Sequence, residues 1–222
     1  MDSVSDPVSV ELQPARCGGL AVLSAEEGRV LAVLVEKQHT VPDTYPLSLN
    51  ALAAGCNQKT ARDPVMDLAE PDLLLALNGL KERSLVFEVS GNRVTRFEHN
   101  LRRVYGVPGA AEALLAVLLL RGPQTTAELR LNCERLHRFA DVSSAEGFLD
   151  ELQTKGLVTR LARSPGAREP RWAQLLTGAV GGVEAAGSAG AASAADAVTW
   201  QALRDEIEAL KARVALLEGR LP

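Results

Sequence analysis

The feature that most constrains the fold of this chain is a short pattern that occurs twice in it. The first copy, LNGLKERSLV, begins at Leu77, and the second, LDELQTKGLV, begins at Leu149. In each copy, two leucines at helical spacing are followed by a cation, a small residue and then Leu-Val. A cation beside the last carbonyl groups favours the end of a helix, and Leu-Val is typical of a strand. The pattern therefore predicts two similar units in which a helix leads into a β-hairpin.

Two further helical segments precede the first copy. Ser24 to Glu27 form a capping-box pattern, and the apolar side chains that follow at helical spacing predict a helix that ends near Gln38. A shorter helix is predicted at the start of the stretch Tyr45 to Met66, and a third opens at Glu70 with an acid in its first turn. Alternating runs on both sides of residues 91–92 then predict a hairpin.

The same order returns in the second part of the chain. Ala110 to Leu120 matches the first helix, Thr125 to Leu136 takes the place of the second, and a capping-box pattern at Ser143 to Glu146 opens the third. A hairpin with its turn at residues 164–167 follows. Three helices and a hairpin make a winged helix. We therefore predict a mainly α fold with small β-hairpins, built as two tandem winged-helix domains plus a C-terminal coiled-coil helix.

Changes in composition set the predicted domain boundaries. The segment Thr177 to Val198 is rich in Ala, Gly and Ser and almost free of charge, which is typical of a linker. The predicted parts are a disordered lead-in (1–22), a first winged-helix domain (23–106), a second (107–176), the linker (177–198) and the coiled-coil helix (199–222). The two domains are expected to pack through a short linkage at Arg102 to Pro108.

The last segment carries a heptad repeat. Its apolar residues fall alternately three and four apart, and they are Leu203, Ile207, Leu210, Val214, Leu217 and Leu221. β-branched residues at a positions with leucine at d positions favour a parallel two-stranded coil, so a homodimer is predicted. The alternative is a helix that folds back onto its own domains and uses the same stripe as an ordinary amphipathic face.

Composition and motifs restrict the function classes. A net charge of −4 and a pI near 5.5 argue against non-specific coating of nucleic acid but allow one local basic surface. The chain contains no Gly-rich phosphate loop, no GxSxG and no HExxH, so we predict that it is not an enzyme and uses no cofactor. The apolar run Leu114 to Leu120 is too short to span a bilayer, which predicts a soluble cytoplasmic protein without a membrane partner.

Cysteines and histidines show no spacing typical of a metal site. The three cysteines lie far apart with no CxxC pair, and the three histidines show no ligand spacing with them. The residues concerned are Cys17, Cys56, Cys133, His39, His99 and His137. Reduced thiols and no bound metal are therefore predicted.

The stretch Tyr45 to Met66 carries a likeness to a known family. It contains PLSLNAL from Pro46, CNQK from Cys56 and RDPVM from Arg62, and this wording resembles the signature of the YceH-like family of uncharacterised bacterial proteins. The resemblance covers roughly Leu23 to Leu176. It implies two winged-helix domains in tandem and implies no particular biochemical role.

The loop in this stretch supplies the first candidate binding residues. Asn57, Gln58, Lys59 and Arg62 are donors that could read base edges or bind phosphate, and Arg62 could pair with Asp63. The structural alternative is that the polar residues cap helices and turns while Val65 and Met66 fill the core beneath the loop. We favour a binding role, because a purely structural loop would not need so many donors in succession.

The hairpins supply the second set. Their arginines could contact a nucleic-acid backbone, and they are Arg93, Arg96, Arg160, Arg163, Arg168 and Arg171. The alternative is that arginines on a solvent-facing hairpin only keep its edge soluble. The third helices carry more acids than bases. The prediction is a DNA-associated or regulatory protein that binds double-stranded DNA, and the alternative is a scaffold that binds other proteins without DNA contact.

Overall fold

A computed structural model of the protein describes residues 16–17, 19–90, 94–163 and 168–178. The first part contains β1 (Arg16–Cys17), β2 (Leu20–Ala21), α1 (Ala25–Thr40), β3 (Leu47–Ser48), α2 (Leu49–Cys56), α3 (Glu70–Glu82), β4 (Val86–Ser90) and β5 (Thr95–His99). The short helix α4 (Leu101–Tyr105) leads to the second part, which contains α5 (Gly109–Arg121), α6 (Thr126–Asn132), α7 (Val142–Thr154), β6 (Val158–Arg160) and β7 (Trp172–Gln174). The described residues are thus mainly helical, with small antiparallel sheets.

Helix α1 begins where the sequence predicts. The Ser24 hydroxyl accepts a hydrogen bond from the Glu27 backbone N–H at 3.1 Å, and the Glu27 carboxylate accepts one from the Ser24 N–H at 2.7 Å. This reciprocal pair confirms the predicted capping box. The helix runs to Thr40, and a 3-10 turn at Pro42–Thr44 then carries the chain into β3.

The sheet of the first half is built around β5. Strands β3 and β4 flank it in the order β3-β5-β4, both antiparallel, so that Phe97 lies between Leu47 on one side and Glu88 on the other. Phe97 and Leu47 are buried, and they join this sheet to the helical core. Strand β3 is only two residues long and was not predicted, because so short a strand carries no alternation that a sequence pattern could show.

The second half repeats this order with a smaller sheet. Strands β6 and β7 pair antiparallel, and in place of β3 a single residue, Gln124, bridges to Trp172 through two backbone hydrogen bonds of 2.7 and 3.1 Å. The Trp172 indole is fully buried and donates to the Thr126 hydroxyl at 3.1 Å. The internal repeat seen in the sequence is therefore present in the order and pairing of the elements.

Two predicted helix boundaries are wrong. Helix α7 starts at Val142, because the Asp141 carboxylate accepts from the Ser144 backbone N–H at 2.7 Å and caps the helix before the predicted capping box at Ser143 to Glu146. Helix α6 ends at Asn132 instead of Leu136. The predicted linkage at Arg102 to Pro108 also contains helix α4, which was not foreseen.

The core lies between α1 and α5, which pack against each other. In α1, the nine consecutive residues from Glu27 to Val35 are buried, and in α5 the eleven from Ala110 to Leu120 are buried. A helix that is buried on all sides lies at the centre of a core. The described residues accordingly fall within one compact unit.

Several predicted features lie outside the described residues. They are the tip of the first hairpin with Arg93, the turn at residues 164–167, the linker beyond residue 178 and the heptad segment 199–222 with its six apolar positions. Within the described ranges, no helix combines the length and apolar character that crossing a membrane would require.

Candidate functional site

Arg62, a predicted nucleic-acid contact, is an interior residue. It is 6% exposed, and its guanidinium donates to both oxygens of Glu36 on α1, at 2.6 Å from Nη2 and 3.2 Å from Nη1. Nε and Nη2 also donate to the carbonyl oxygen of Gly55 at the end of α2, at 3.2 and 3.1 Å. The predicted pairing of Arg62 with Asp63 is therefore wrong, because the guanidinium points inward to Glu36 while Asp63 remains exposed.

The Arg62–Glu36 pair also sets the protonation of the acid. Burial by itself would raise the pKa of the Glu36 carboxyl, but the hydrogen bonds and charge of Arg62, with a smaller contribution from Lys37, hold this pKa below its usual value. Glu36 is thus ionised at neutral pH, and the pair is a bidentate, charge-assisted contact between α1 and the loop.

A second buried arginine supports the same loop. Arg29 on α1 is 1% exposed, and it donates to the carbonyl oxygens of Cys56 and Pro64 at 3.2 and 2.6 Å. Desolvation, followed by the nearby charge of Arg62, lowers the pKa of Arg29 from its ordinary value. Sequence reasoning missed this residue. The available signal was a cation next to the apolar run that begins at Val30, a position where the pattern predicts a buried face.

The other predicted contacts of the loop are Asn57, Gln58 and Lys59, and two of these three side chains bond within the loop. The Asn57 side chain donates to the Leu68 carbonyl at 2.9 Å and accepts from the Leu68 N–H at 2.8 Å, so it closes the loop on itself. Gln58 donates to the Thr60 hydroxyl at 3.1 Å and accepts from Arg62. Lys59 is exposed and makes no hydrogen bond or ion pair within the described part of the chain. Of the four predicted donors, Lys59 alone is therefore free to meet a ligand.

The hairpin arginines are not equivalent. Arg96 donates through Nη1 to the carbonyl oxygens of Thr44 and Pro46, at 3.1 and 2.7 Å, and so ties β5 to the turn before β3. Arg160 lies 3.3 Å from the Glu146 carboxylate, and its guanidinium carbon is 5.5 Å from the centre of the Trp172 ring. Both arginines make contacts within the fold, a role that neither prediction for these positions, DNA contact or solubility of the hairpin edge, includes.

The other arginines of the second hairpin are more exposed than Arg160. Arg171 donates to the Pro123 carbonyl at 2.8 Å and lies 3.5 Å from the Glu128 carboxylate, with half of its side chain exposed. Arg163 and Arg168 are exposed, and neither forms an ion pair with any described residue. These two side chains remain available to an outside anion.

Helices α3 and α7, the third of each half, expose few cations. Helix α3 presents Leu74, Leu75 and Asn78 with acids at Asp72 and Glu82, and its one lysine, Lys81, pairs with Glu88. The exposed face of α7 carries Asp150, Glu151 and Gln153. Surfaces of this charge do not favour phosphate contacts.

The structure also gathers a buried acid and two histidines, which sequence reasoning missed. Glu112, in the first turn of α5, is 0% exposed, and its oxygens lie 3.5 Å from Nδ1 of His99 and 3.8 Å from Nε2 of His39. These distances exceed a good hydrogen bond, so both Glu112 oxygens and His99 Nδ1 have no hydrogen-bond partner. The other His99 nitrogen, Nε2, is 2.8 Å from the Gln38 side-chain oxygen.

Burial determines the charge of this cluster. Desolvation raises the pKa of Glu112 to about 7, with Arg102 opposing it, and desolvation together with the charges of His39 and Arg102 lowers the pKa of His99 to about 4. Both shifts favour neutral groups, so the contact between Glu112 and His99 is not an ion pair at neutral pH. Within the described ranges, no group of three or more His, Cys, Asp or Glu side chains is arranged to hold a metal ion. The only local signal was a glutamate inside an otherwise apolar run.

Comparison with known proteins places the chain in a family. Residues 23–167 match the profile of the family described as "Protein of unknown function, DUF480". The chain belongs to this family, and the resemblance to YceH-like proteins is consistent with it.

Close relatives carry the family name UPF0502. The chain is 59% identical to the UPF0502 protein of Cupriavidus taiwanensis over 220 residues, which cover 97% of this chain and 90% of the relative. It is 64% identical to that of Methylibium petroleiphilum over 180 residues (80% and 76%) and 58% identical to that of Burkholderia pseudomallei over 202 residues (90% and 86%). The names of these relatives do not state a function.

Proposed function

We propose that the protein is a non-enzymatic tandem winged-helix protein that contacts the backbone of double-stranded DNA through its second hairpin. The order of α1, β3, α2, α3, β4 and β5, with β5 central in the sheet, supports a winged helix in the first half. The order of α5, the Gln124 bridge, α6, α7, β6 and β7 supports a second one.

The chemistry of the buried groups supports a non-catalytic role. The thiols of Cys56 and Cys133 are buried, and desolvation raises the pKa of each to about 12, so neither supplies a thiolate near neutral pH. Glu112 is closed off from solvent and the side chain of His99 facing it is 4% exposed, so the carboxyl is not presented to a substrate at the surface.

The observation that carries the DNA proposal is the pair Arg163 and Arg168. Both are exposed, one on each side of residues 164–167, and their charge is not neutralised by any acid in the described ranges. Free cations at the end of a hairpin are suited to phosphate contacts, which fix position and carry no base sequence. Arg171 and Lys59 are secondary contacts in this proposal, whereas Arg62, Arg96 and Arg160 act within the fold.

Replacing Arg163 and Arg168 together by Ala is expected to weaken binding to a random DNA duplex and to flatten its dependence on salt. The slope of log affinity against log salt should fall in magnitude by about 1.8, since each phosphate contact contributes roughly 0.9. Fluorescence anisotropy over a salt series measures both quantities. The control, Arg102→Ala with Arg103→Ala, removes the same charge from α4, and equal effects in the two double variants would contradict a contact at the hairpin.

The scaffold alternative keeps one specific support, which is the exposed apolar surface of α3 at Leu74 and Leu75. Apolar side chains beside acids are typical of a protein contact and not of a helix in the major groove. No duplex binding by the wild type at low salt would favour this class over the DNA proposal.

We further propose a parallel homodimer formed through the heptad segment 199–222. The support is the sequence pattern, with Ile207 and Val214 at a positions and leucines at d positions. Leu210→Lys is expected to dissociate the dimer at micromolar concentrations, as measured by analytical ultracentrifugation. A chain ending at Gly190 should sediment as a monomer. If this chain and the wild type sediment in the same oligomeric state, the tail has no role in assembly.

A further inference from the structure

We infer that the groove between the start of α1 and α3 binds a peptide segment of another protein, one that places arginine or lysine beside a leucine-type side chain. The groove encloses ≈ 520 Å³ and is distinct from the second hairpin that carries the DNA proposal. Its apolar lining comes from Leu68, Leu75 and Ala76.

The apolar anchor of the groove is Leu75. It is 75% exposed, the largest exposed fraction among the large apolar side chains of the described residues. It lies on α3, which packs into the core through the buried Leu73, Leu77 and Leu80, so the helix does not need Leu75 for its own packing. An exposed leucine that lines a groove gains from burial by a partner's apolar side chain.

The charge of the groove determines the kind of partner. Glu26, Glu27, Asp72 and Glu82 line it, and no lysine, arginine or histidine does. Arg83 pairs with Glu27 behind the lining, which leaves three carboxylates without a cation. A hydrogen bond from Ser24 lowers the pKa of Glu26, so this carboxyl is ionised. Complementarity therefore selects a basic segment and excludes nucleic acid.

The backbone is adapted to this arrangement. A Cβ atom at Gly79 would lie 2.0 Å from a Glu27 carboxylate oxygen, so a larger residue there would displace this carboxylate from its position beside Arg83. The pair joins α1 to α3 along the groove, and the Glu27 carboxylate also caps α1. The groove is thus formed by elements whose relative position is fixed, and a ligand would meet a preorganised surface.

The test is a titration of the full-length protein against a short fluorescein-labelled peptide in which arginine and leucine alternate with glycine spacers. Fluorescence anisotropy is expected to show saturable binding by the wild type. Leu75→Ser should weaken it about tenfold or more, because the anchor contact is lost. Glu82→Arg should also weaken binding and reduce its sensitivity to salt.

Matched variants make the result specific. Leu131→Ser changes a leucine on α6 that is 66% exposed, and Glu134→Arg reverses an exposed acid just beyond that helix, so neither should affect peptide binding. A peptide with glutamate in place of arginine should not bind. No binding by the wild type, or equal losses in the α3 and α6 variants, would overturn the inference.

Two other occupants would give different results. If a second copy of the chain fills the groove, Leu75→Ser will reduce the sedimenting mass of the protein and the peptide will not bind, which contradicts a peptide partner. If duplex DNA binds in the groove, Leu75→Ser will weaken duplex binding, which contradicts a peptide partner. The peptide proposal expects Leu75→Ser to leave duplex binding unchanged. Failure of the hairpin proposal leaves the peptide titration unaffected, so the two proposals can fail separately.

Discussion

Arg62→Ala is expected to reduce the free energy of unfolding by about 3–5 kcal/mol, the range typical for removing one partner of a buried ion pair. The variant leaves the Glu36 carboxylate without its two hydrogen bonds in a site that is largely closed to water, since the Glu36 side chain is 16% exposed. It also frees the carbonyl oxygen of Gly55, and the loop between α2 and α3 loses one of its two attachments to α1.

Urea denaturation of the wild type and three variants would check this expectation. Lys59→Ala removes an exposed cation from the same loop and should change stability by no more than about 0.5 kcal/mol. The double variant Arg62→Met with Glu36→Gln should recover much of the loss, because no charge is then buried alone. If Arg62→Ala is as stable as Lys59→Ala, the guanidinium does not hold the loop in solution.

Glu112→Gln is expected to stabilise the protein above pH 7 by up to about 3 kcal/mol, since each unit of pKa shift corresponds to about 1.36 kcal/mol. Burial raises the pKa of Glu112 from 4.5 to about 7, so the folded state holds a proton that the unfolded state releases between these values. The wild type therefore loses stability through this group as the pH rises from about 4.5 to about 7. Glutamine has no proton to lose and lacks this penalty.

The measurement is the free energy of unfolding of both proteins from pH 4.5 to pH 8. Their difference should be largest at pH 8 and should shrink toward pH 4.5. The lowered pKa of His99 destabilises both proteins as the pH falls below 6.5, so it largely cancels in the difference. Glu134→Gln, at an exposed acid, should show no such trend. A pH-independent difference would mean that Glu112 is not desolvated.

The elements with a long periodic pattern were the ones that sequence reasoning could place. The predicted start of α1 and the opening of α3 at Glu70 are confirmed, because capping chemistry and apolar spacing are local properties. Helix α7 was predicted to begin too late, since Asp141 and Ser143 are both acceptable caps and only the backbone geometry decides between them. Family membership was also evident from the sequence motifs within residues 46–66.

The candidate site was harder to predict for a physical reason. Whether a cation faces solvent or the interior depends on which distant group lies opposite it, and no local pattern contains that information. Arg62 was interpreted as a surface donor because the residue that neutralises it, Glu36, comes from another helix. Glu112 and His99 likewise meet only because α5 packs beside the end of β5, so their spacing along the chain gave no indication of the cluster.

The burial of α1 and α5 on all sides has a consequence for regulation. Domains joined by a linker usually rotate relative to each other, but a large apolar interface suppresses that motion. Since the two central helices pack into one core, the α3 groove and the second hairpin belong to the same compact unit. A protein partner and a duplex bound at these places would therefore be aligned by the fold itself. Control of such an assembly is then expected to act on occupancy or self-association more than on hinge bending.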